Sequence, residues 1–124
     1  KRVMKIRVDE NDPERALDEI GRGYEELLGM PPGLADRIDA RTMAHMLRRP
    51  DKMRAAAALS VEEGHAYKAL RDPLHAVARY RRAHELYLEA RAIDPRDGDD
   101  AALLELSRLA QLHLDRVDAA EPQE

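Results

Sequence analysis

Five histidines are the residues of this 124-residue chain whose chemistry most directly suggests a metal site. Imidazole nitrogen is a common zinc ligand, and two ligands on one helix need a separation of three or four residues. The histidines are His45, His65, His75, His84 and His113, and no two have that separation. His75 and His84 are nine residues apart, which is about 180° around a helix. The sequence therefore predicts no metal ion.

Three arginines around Tyr80 form a second candidate site, because guanidinium groups hold phosphate and stack on bases. They are Arg79, Arg81 and Arg82. A simpler interpretation places Tyr80 in the packing surface of a helix and the arginines on the solvent-facing arc. The net charge is −4, and residues 94–124 carry three arginines against nine acids, so general nucleic-acid binding has no support. A regulatory or nucleic-acid-associated role of the Arg79–Arg82 cluster stays open as an alternative.

Catalytic patterns are absent from the rest of the sequence. Glu62 and Glu63 are adjacent, so on a helix they point about 100° apart and cannot converge as an acid and a base. The sequence has no phosphate-binding loop, nucleophile elbow or dinucleotide fingerprint, and no cysteine for thiol chemistry or disulfides. We therefore expect neither an enzyme nor a cofactor. Small-ligand binding or catalysis in a pocket between helices stays open as a second alternative.

The composition indicates the kind of fold that must position these residues. Helix-forming Leu, Ala, Arg and Glu dominate, and Phe and Trp are missing altogether. The length suits one core, so we expect a single all-helical domain over 1–124, an all-α fold of about five antiparallel helices. No apolar window approaches the roughly 18 residues of a membrane span, and no secretory signal is seen, so we expect a cytoplasmic protein. The first residue is Lys rather than Met, which leaves a longer gene product open.

Local signals place the N-terminal helices within residues 12–50. Asp12 can cap a helix that ends at Gly29, while residues 1–11 could be extended or helical. The segment GMPPGL is expected to be a loop. Asp39 is a candidate internal cap, so the following region could be two short helices. Its broken apolar face consists of Leu34, Ile38, Met43, Met46 and Leu47.

Three longer helices are predicted in residues 51–118. The first runs from Asp51 to Leu70, because the alanine-rich stretch before Ser60 contains no Gly or Pro that would break it. Asp72 caps the second, which extends to about Ile93. The last runs from about Asp99 to Val117, and residues 119–124 are expected to fray.

The spacing of small and aromatic residues within the first two of these helices resembles a tetratricopeptide repeat, over about residues 57–95. The matching residues are Gly64, Tyr67, Ala76, Tyr80 and Ala83, at successive steps of 3, 9, 4 and 3. Gly64 and Ala76 are small enough to let two antiparallel helices approach closely. The resemblance implies a helix-turn-helix unit that packs against its neighbours. The chain departs from the repeat at Glu63, where the repeat usually has leucine.

The second helix of this unit is predicted to be extended. The repeat closes with a proline five residues after its final alanine, whereas Pro95 lies twelve residues after Ala83 and five after Ala90. Seven extra residues are two turns and change the helical phase by only about 20°. Two rows of residues are therefore predicted along the surface of this helix. One row consists of Ala76, Ala83 and Ala90, and the other consists of Tyr80 and Tyr87.

The resemblance implies a non-catalytic module for protein–protein interaction or self-association, with a protein partner or a second copy in a homodimer. The residues that would face a partner in the groove are Val61, His65, Lys68 and Ala69. An open alternative is that these residues pack against the N-terminal helices. Repeats that clamp a peptide C-terminus have Lys at the place of Val61 and Asn at that of His65, so such a clamp is not expected. The chain is also similar to small bacterial helical proteins with no assigned activity.

Overall fold

The computed structural model describes residues 12–29 and 32–120, and the regular structure in these ranges is entirely helical. The helices are α1 (Pro13–Leu28), α2 (Pro32–Ala35), α3 (Ala40–Leu47), α4 (Pro50–Ala69), α5 (Pro73–Ile93) and α6 (Asp99–Ala120). Each long helix packs against its antiparallel neighbours. The predicted all-α class with about five helices is confirmed, and α2 adds a single helical turn.

Side-chain caps fix the helix ends as the sequence predicts. The Asp12 carboxylate accepts a hydrogen bond from the Arg15 backbone N–H at 3.1 Å, and Asp39 accepts one from Thr42 at 2.8 Å. Asp72 caps α5 in the same way. Gly29 ends α1 with a φ of 70°, a left-handed conformation that glycine adopts without steric cost.

The helix bounds differ from the predicted ones in two places. The segment predicted as a loop contains α2, which begins at Pro32, because proline is favoured at the first position of a helix. The last helix extends to Ala120 rather than to Val117. Residues 1–11, 30–31 and 121–124 lie outside the described residues, and so do the predictions made for them.

The predicted apolar face of residues 34–47 is only partly correct. Leu34 and Met46 were expected to be buried, yet they are 44% and 43% exposed. The buried residues of α3 are Ala40, Met43, Ala44 and Leu47. Two alanines thus take the place of larger apolar side chains in the core. The four buried residues are spaced i, i+3, i+4 and i+7, which is one face of a helix, and Met46 falls outside that face.

The antiparallel pair of α4 and α5 forms the centre of the molecule. Its contact surface consists of small residues, and Ala76, Ala83 and Ala90 are all fully buried, which confirms the predicted alanine row. Tyr80 is fully buried as well, and a Cβ added to Gly64 would lie 2.4 Å from its Cε1 atom. The close approach predicted at Gly64 and Ala76 is therefore present.

The remaining helices cover this pair from several sides. Helix α1 packs on α4, α3 contacts both members of the pair, and α6 packs along α5. The two added turns of α5 thus have α6 as a matching surface. Arg54 of α4 fixes the start of α6, because its Nη2 donates to the Asp99 carboxylate and to the Asp94 carbonyl, each at 2.8 Å.

Candidate functional site

A buried group of polar side chains lies where α1, α4 and α5 meet. This polar cluster consists of Tyr24 from α1, Ser60 and Glu63 from α4, and Arg82 from α5. Their exposed fractions are 1%, 0%, 5% and 6%. Ser60 and Glu63 lie in the interior of α4, which continues through Ser60 without a break, as predicted.

The Arg82 guanidinium is the hydrogen-bond donor that joins the members of the polar cluster. Its Nη2 donates to Glu63 Oε1 at 2.7 Å and to the Tyr24 hydroxyl at 2.9 Å. Its Nε donates to Ser60 Oγ, and its Nη1 donates to the Ala35 carbonyl at 3.0 Å. The Tyr24 hydroxyl in turn donates to Glu63 Oε1 at 2.9 Å. Charge-assisted hydrogen bonds of this kind are stronger than neutral ones, so the cluster fixes α1 and α5 against α4.

The prediction that the arginines around Tyr80 share a solvent-facing arc is wrong for Arg82 and Arg79. Arg82 is buried, and the side chain of Arg79 is only 12% exposed because it pairs with Asp36 and with Glu63. Arg81 is exposed. The physical reason is that carboxylates on neighbouring elements compensate the two inward charges. One signal in the sequence pointed this way: Glu63 stands where the repeat resemblance expects leucine, and a buried acid needs a cationic partner.

Burial changes the acid–base properties of the polar cluster. It raises the pKa of Glu63, while the Arg82 and Arg79 guanidiniums oppose that change. Burial, followed by the charge of Glu63, raises the pKa of Tyr24 far above its ordinary range. Tyr24 therefore keeps its proton at every physiological pH and acts as a permanent hydrogen-bond donor to Glu63.

A cavity of about 470 Å³ lies beside the polar cluster, between α1, α2 and α4. The residues that line it are Leu17, Asp18, Gly21, Arg22, Tyr24, Glu25, Gly33, Asp36, Glu63 and Tyr67. The wall thus combines charged groups with a short apolar stretch. Sequence reasoning left a pocket between helices open as an alternative, but it did not identify these residues, because they come from three elements distant in the chain.

The predicted partner-facing residues lie on another side of α4, which we call the α4 flank: Val61, His65, Lys68 and Ala69. Helix α1 contacts α4 through Ser60 and Glu63, and Val61 and His65 point about 160° away from Glu63 on a regular helix. Lys68 is exposed, and the other three residues are partly exposed.

The α4 flank is held in place by contacts to α5. His65 Nδ1 lies 2.7 Å from the Tyr80 hydroxyl, and the two rings meet edge to face. Burial lowers the pKa of His65, so its imidazole is mainly neutral at pH 7. Tyr67, further along α4, stacks on His75 with ring centroids 4.9 Å apart. These contacts orient the flank relative to α5.

Because Tyr80 is buried, we expect the free energy of unfolding of the protein to fall at alkaline pH. Burial, then the charge of Glu62, raises the pKa of Tyr80 to about 12. The folded state keeps the proton while the unfolded chain loses it near the ordinary value of 10.0. The contribution of Tyr80 to stability is therefore complete below pH 10 and is lost as pH rises towards 12.

Urea unfolding at stepped pH values would check this. Tyr80→Phe should reduce the slope of stability against pH by about one proton above pH 10, whatever its effect on stability at neutral pH. Equal slopes for the wild type and Tyr80→Phe would contradict the assignment.

Within the described ranges, no group of three or more histidine, aspartate or glutamate side chains is arranged to hold a metal ion. None of the helices in those ranges combines the length and the apolar character that crossing a bilayer requires. No family model, curated protein or solved structure matches the chain.

Proposed function

We propose that the protein is a non-catalytic interaction module and that its partner, another protein or a second copy of the chain, binds the α4 flank. The observation that carries this proposal is the division of α4 into two sides. One side carries the polar cluster and is covered by α1. The other side presents an exposed Lys68 and a partly exposed His65. Packing against the neighbouring helices holds α4 in place.

The arrangement of α4, α5 and α6 supports a tetratricopeptide-like mode of binding. The close packing at Gly64 and Tyr80 matches the role that the repeat gives to its small and aromatic residues. Helix α6 packs on α5, where a following repeat would place its first helix. Successive helices of such repeats form a concave surface on which partners bind.

The chemistry of the α4 flank indicates the kind of partner segment that fits it. Lys68 offers an exposed positive charge, whereas Val61 and Ala69 offer partly exposed apolar surface. His65 is mainly neutral and contributes a ring edge. A segment with an aliphatic side chain next to a carboxylate would complement these residues.

A variant with His65→Ala and Lys68→Ala is expected to lose its partner by at least about tenfold in affinity. Affinity capture from the native organism, followed by mass spectrometry, would identify the protein whose recovery drops. Lys52→Ala is the matched control, since Lys52 is also exposed on α4 but lies outside the flank. Unchanged recovery with the double variant, or equal loss with the control, would contradict binding at the flank.

Sedimentation equilibrium distinguishes self-association from binding to another protein. If a second copy is the partner, the wild type forms a dimer that the double variant weakens and Lys52→Ala does not. A wild-type monomer over a wide concentration range would remove self-association. The alternative based on Arg79–Arg82 now depends mainly on Arg81, because Arg82 is buried.

A further inference from the structure

His65 and Tyr80 form a hydrogen bond that joins the α4 flank to the centre of the molecule. His65 Nδ1 lies 2.7 Å from the Tyr80 hydroxyl, and Tyr80 is fully buried. A neutral imidazole has one protonated and one unprotonated ring nitrogen, so either partner could be the donor. The direction of this bond decides which nitrogen of His65 carries the proton, and therefore what the α4 flank offers to a partner.

Three properties of the pair indicate that Tyr80 donates and His65 accepts. A phenol is a stronger acid than a neutral imidazole N–H, and an imidazole nitrogen is the better acceptor. The separation of 2.7 Å is typical of an O–H donor, whereas N–H donors usually lie about 2.9 Å from an oxygen. Burial, followed by the charge of Glu62, raises the pKa of Tyr80 to about 12, so the hydroxyl keeps the proton that it donates.

The other ring nitrogen of His65 is in contact with solvent. His65 is partly exposed, and its Nε2 makes no hydrogen bond to the described residues. In those residues, the buried side-chain atoms without a partner are Arg54 Nη1 and Arg79 Nε, so His65 Nε2 is not a buried atom that lacks one. Nε2 therefore lies on the side of the ring that a partner can reach.

Charged groups lie on both sides of His65 along α4. Glu62 and Lys68 are each three residues from His65, which makes them its neighbours on the helix surface. Burial lowers the pKa of His65, the charge of Glu62 raises it, and the charge of Lys68 lowers it. A partner carboxylate is attracted by Lys68 and repelled by Glu62, so it would approach His65 from the Lys68 side.

We infer that Tyr80 fixes His65 as the Nε2–H tautomer, so that the α4 flank binds a carboxylate of its partner between His65 Nε2 and Lys68. This inference rests on the proposed function, and it makes Tyr80 a positioning residue that acts through His65. The opposite tautomer would present a lone pair at Nε2, which repels a carboxylate oxygen. The fixed tautomer thus makes the flank selective for acceptors over donors such as lysine and arginine side chains.

Long-range proton–nitrogen NMR of the histidine rings in the full chain tests the tautomer without a partner. At about pH 8, where an ordinary histidine is neutral, we expect His65 to have a protonated Nε2 and an unprotonated Nδ1. The loss of one set of ring signals in His65→Gln identifies those of His65. A protonated Nδ1 would overturn the inference.

Tyr80→Phe gives a readout that a purely structural role would not produce, namely the direction in which the pKa of His65 changes. A bond donated by Tyr80 stabilises the neutral ring, so its removal should raise that pKa. If Tyr80 accepted from Nδ1 instead, the bond would favour the charged ring and its removal would lower the pKa. Tyr87→Phe, two turns further along α5, is the matched control and should leave the pKa of His65 unchanged. A lower or unchanged pKa in Tyr80→Phe would contradict the assignment.

Two peptides with blocked ends test the carboxylate, since Ala-Leu-Glu-Ala and Ala-Leu-Gln-Ala differ in charge but hardly in shape. We expect the glutamate peptide to shift the ring signals of His65 and to bind at least about threefold more tightly than the glutamine peptide. Lys68→Met should remove most of this difference, whereas Lys52→Met, on the same helix but outside the flank, should not.

Equal binding of the two peptides, an equal effect of the two lysine variants, or no saturation below about 10 mM would overturn the carboxylate site. These outcomes are distinguishable from a failure of the interaction surface. If the peptides bind equally while the captured protein is still lost with His65→Ala and Lys68→Ala, the surface stands and only its preference for a carboxylate is wrong.

Discussion

Replacing Arg82 by methionine is expected to lower the free energy of unfolding by about 3–5 kcal/mol, the largest effect that we expect of a single substitution. Methionine fills most of the volume but leaves Glu63 as a buried carboxylate without its 2.7 Å partner. The Tyr24 hydroxyl and the Ala35 carbonyl also lose a donor. Urea unfolding followed by circular dichroism measures the loss.

The neighbouring Arg81 provides the control for this substitution. Arg81→Met removes the same side chain from an exposed position of the same helix, so the change should remain within about 0.5 kcal/mol. A similar loss for the two variants would show that removal of positive charge from α5, rather than burial of Glu63, determines stability.

The pH dependence of the Arg82→Met variant gives a second readout. Burial already raises the pKa of Glu63 above its ordinary value of 4.5, and loss of Arg82 removes the largest opposing contribution. A group whose pKa is higher in the folded than in the unfolded state destabilises the fold as pH rises. The difference from the wild type should therefore be smallest at and below pH 4.5 and should grow as the pH rises above it.

Removing both charges should restore most of the lost stability. Glu63→Leu combined with Arg82→Met leaves no unpaired buried charge, and hydrophobic replacements of buried ion pairs are often neutral or stabilising. Leucine is also the residue that the repeat resemblance expects at position 63. A double variant that is no more stable than Arg82→Met alone would mean that Glu63 is not the source of the loss.

The helix ends could be predicted from the sequence because the interactions that set them are local. Asp12, Asp39 and Asp72 each accept a hydrogen bond from a backbone N–H three residues ahead. Such contacts depend on neighbouring residue types alone. The phase of the alanine row along α5 was predictable for the same reason, since helical geometry fixes it once the helix is known to continue.

The polar cluster could not be predicted in this way, because its partners are remote in the chain. Arg82 and Tyr24 are separated by 58 residues, and Arg82 and Ala35 by 47. A surface arginine and a buried one have the same local sequence pattern when the compensating carboxylate comes from another helix. Glu63 occupies an apolar position, which indicated a buried acid, but the sequence did not identify the basic residue that pairs with it.

The two candidate sites differ in the same respect, because one follows from local helical geometry and the other depends on tertiary packing. The residues of the α4 flank were named from the sequence, and helical geometry alone places Val61 and His65 on one side. Whether α1 would cover that side depended on tertiary packing, which a single sequence leaves open. The cavity beside Glu63 was missed because Asp18, Asp36 and Glu63 converge only through packing of α1, α2 and α4.

Replacing Gly64 by alanine is expected to lower the free energy of unfolding by about 2 kcal/mol, although alanine is the better helix former. The new Cβ would lie 2.4 Å from Tyr80 Cε1 and 2.7 Å from Cδ1 and Cζ. Tyr80 is fully buried, so its ring has no solvent-facing rotamer to which it could move. Overpacking of about 3 kcal/mol therefore outweighs the gain of about 1 kcal/mol in helix propensity.

Gly33→Ala is the matched control, because a Cβ at Gly33 meets no heavy atom within 4 Å. Its effect should range from neutral to a gain of about 1 kcal/mol. If Gly64→Ala behaved like this control, the close approach of α4 and α5 would not depend on the missing side chain.

A double-mutant cycle with Tyr80→Leu assigns the cost of Gly64→Ala to one contact. Leucine is smaller than tyrosine and removes the three ring atoms that the new Cβ would meet. The double variant should therefore be more stable than the sum of the two single losses predicts, by at least about 1 kcal/mol. Additive losses would place the strain elsewhere on α5. A favourable coupling would establish that the glycine of α4 and the aromatic ring of α5 are matched in size, and that this match sets the distance between the two central helices.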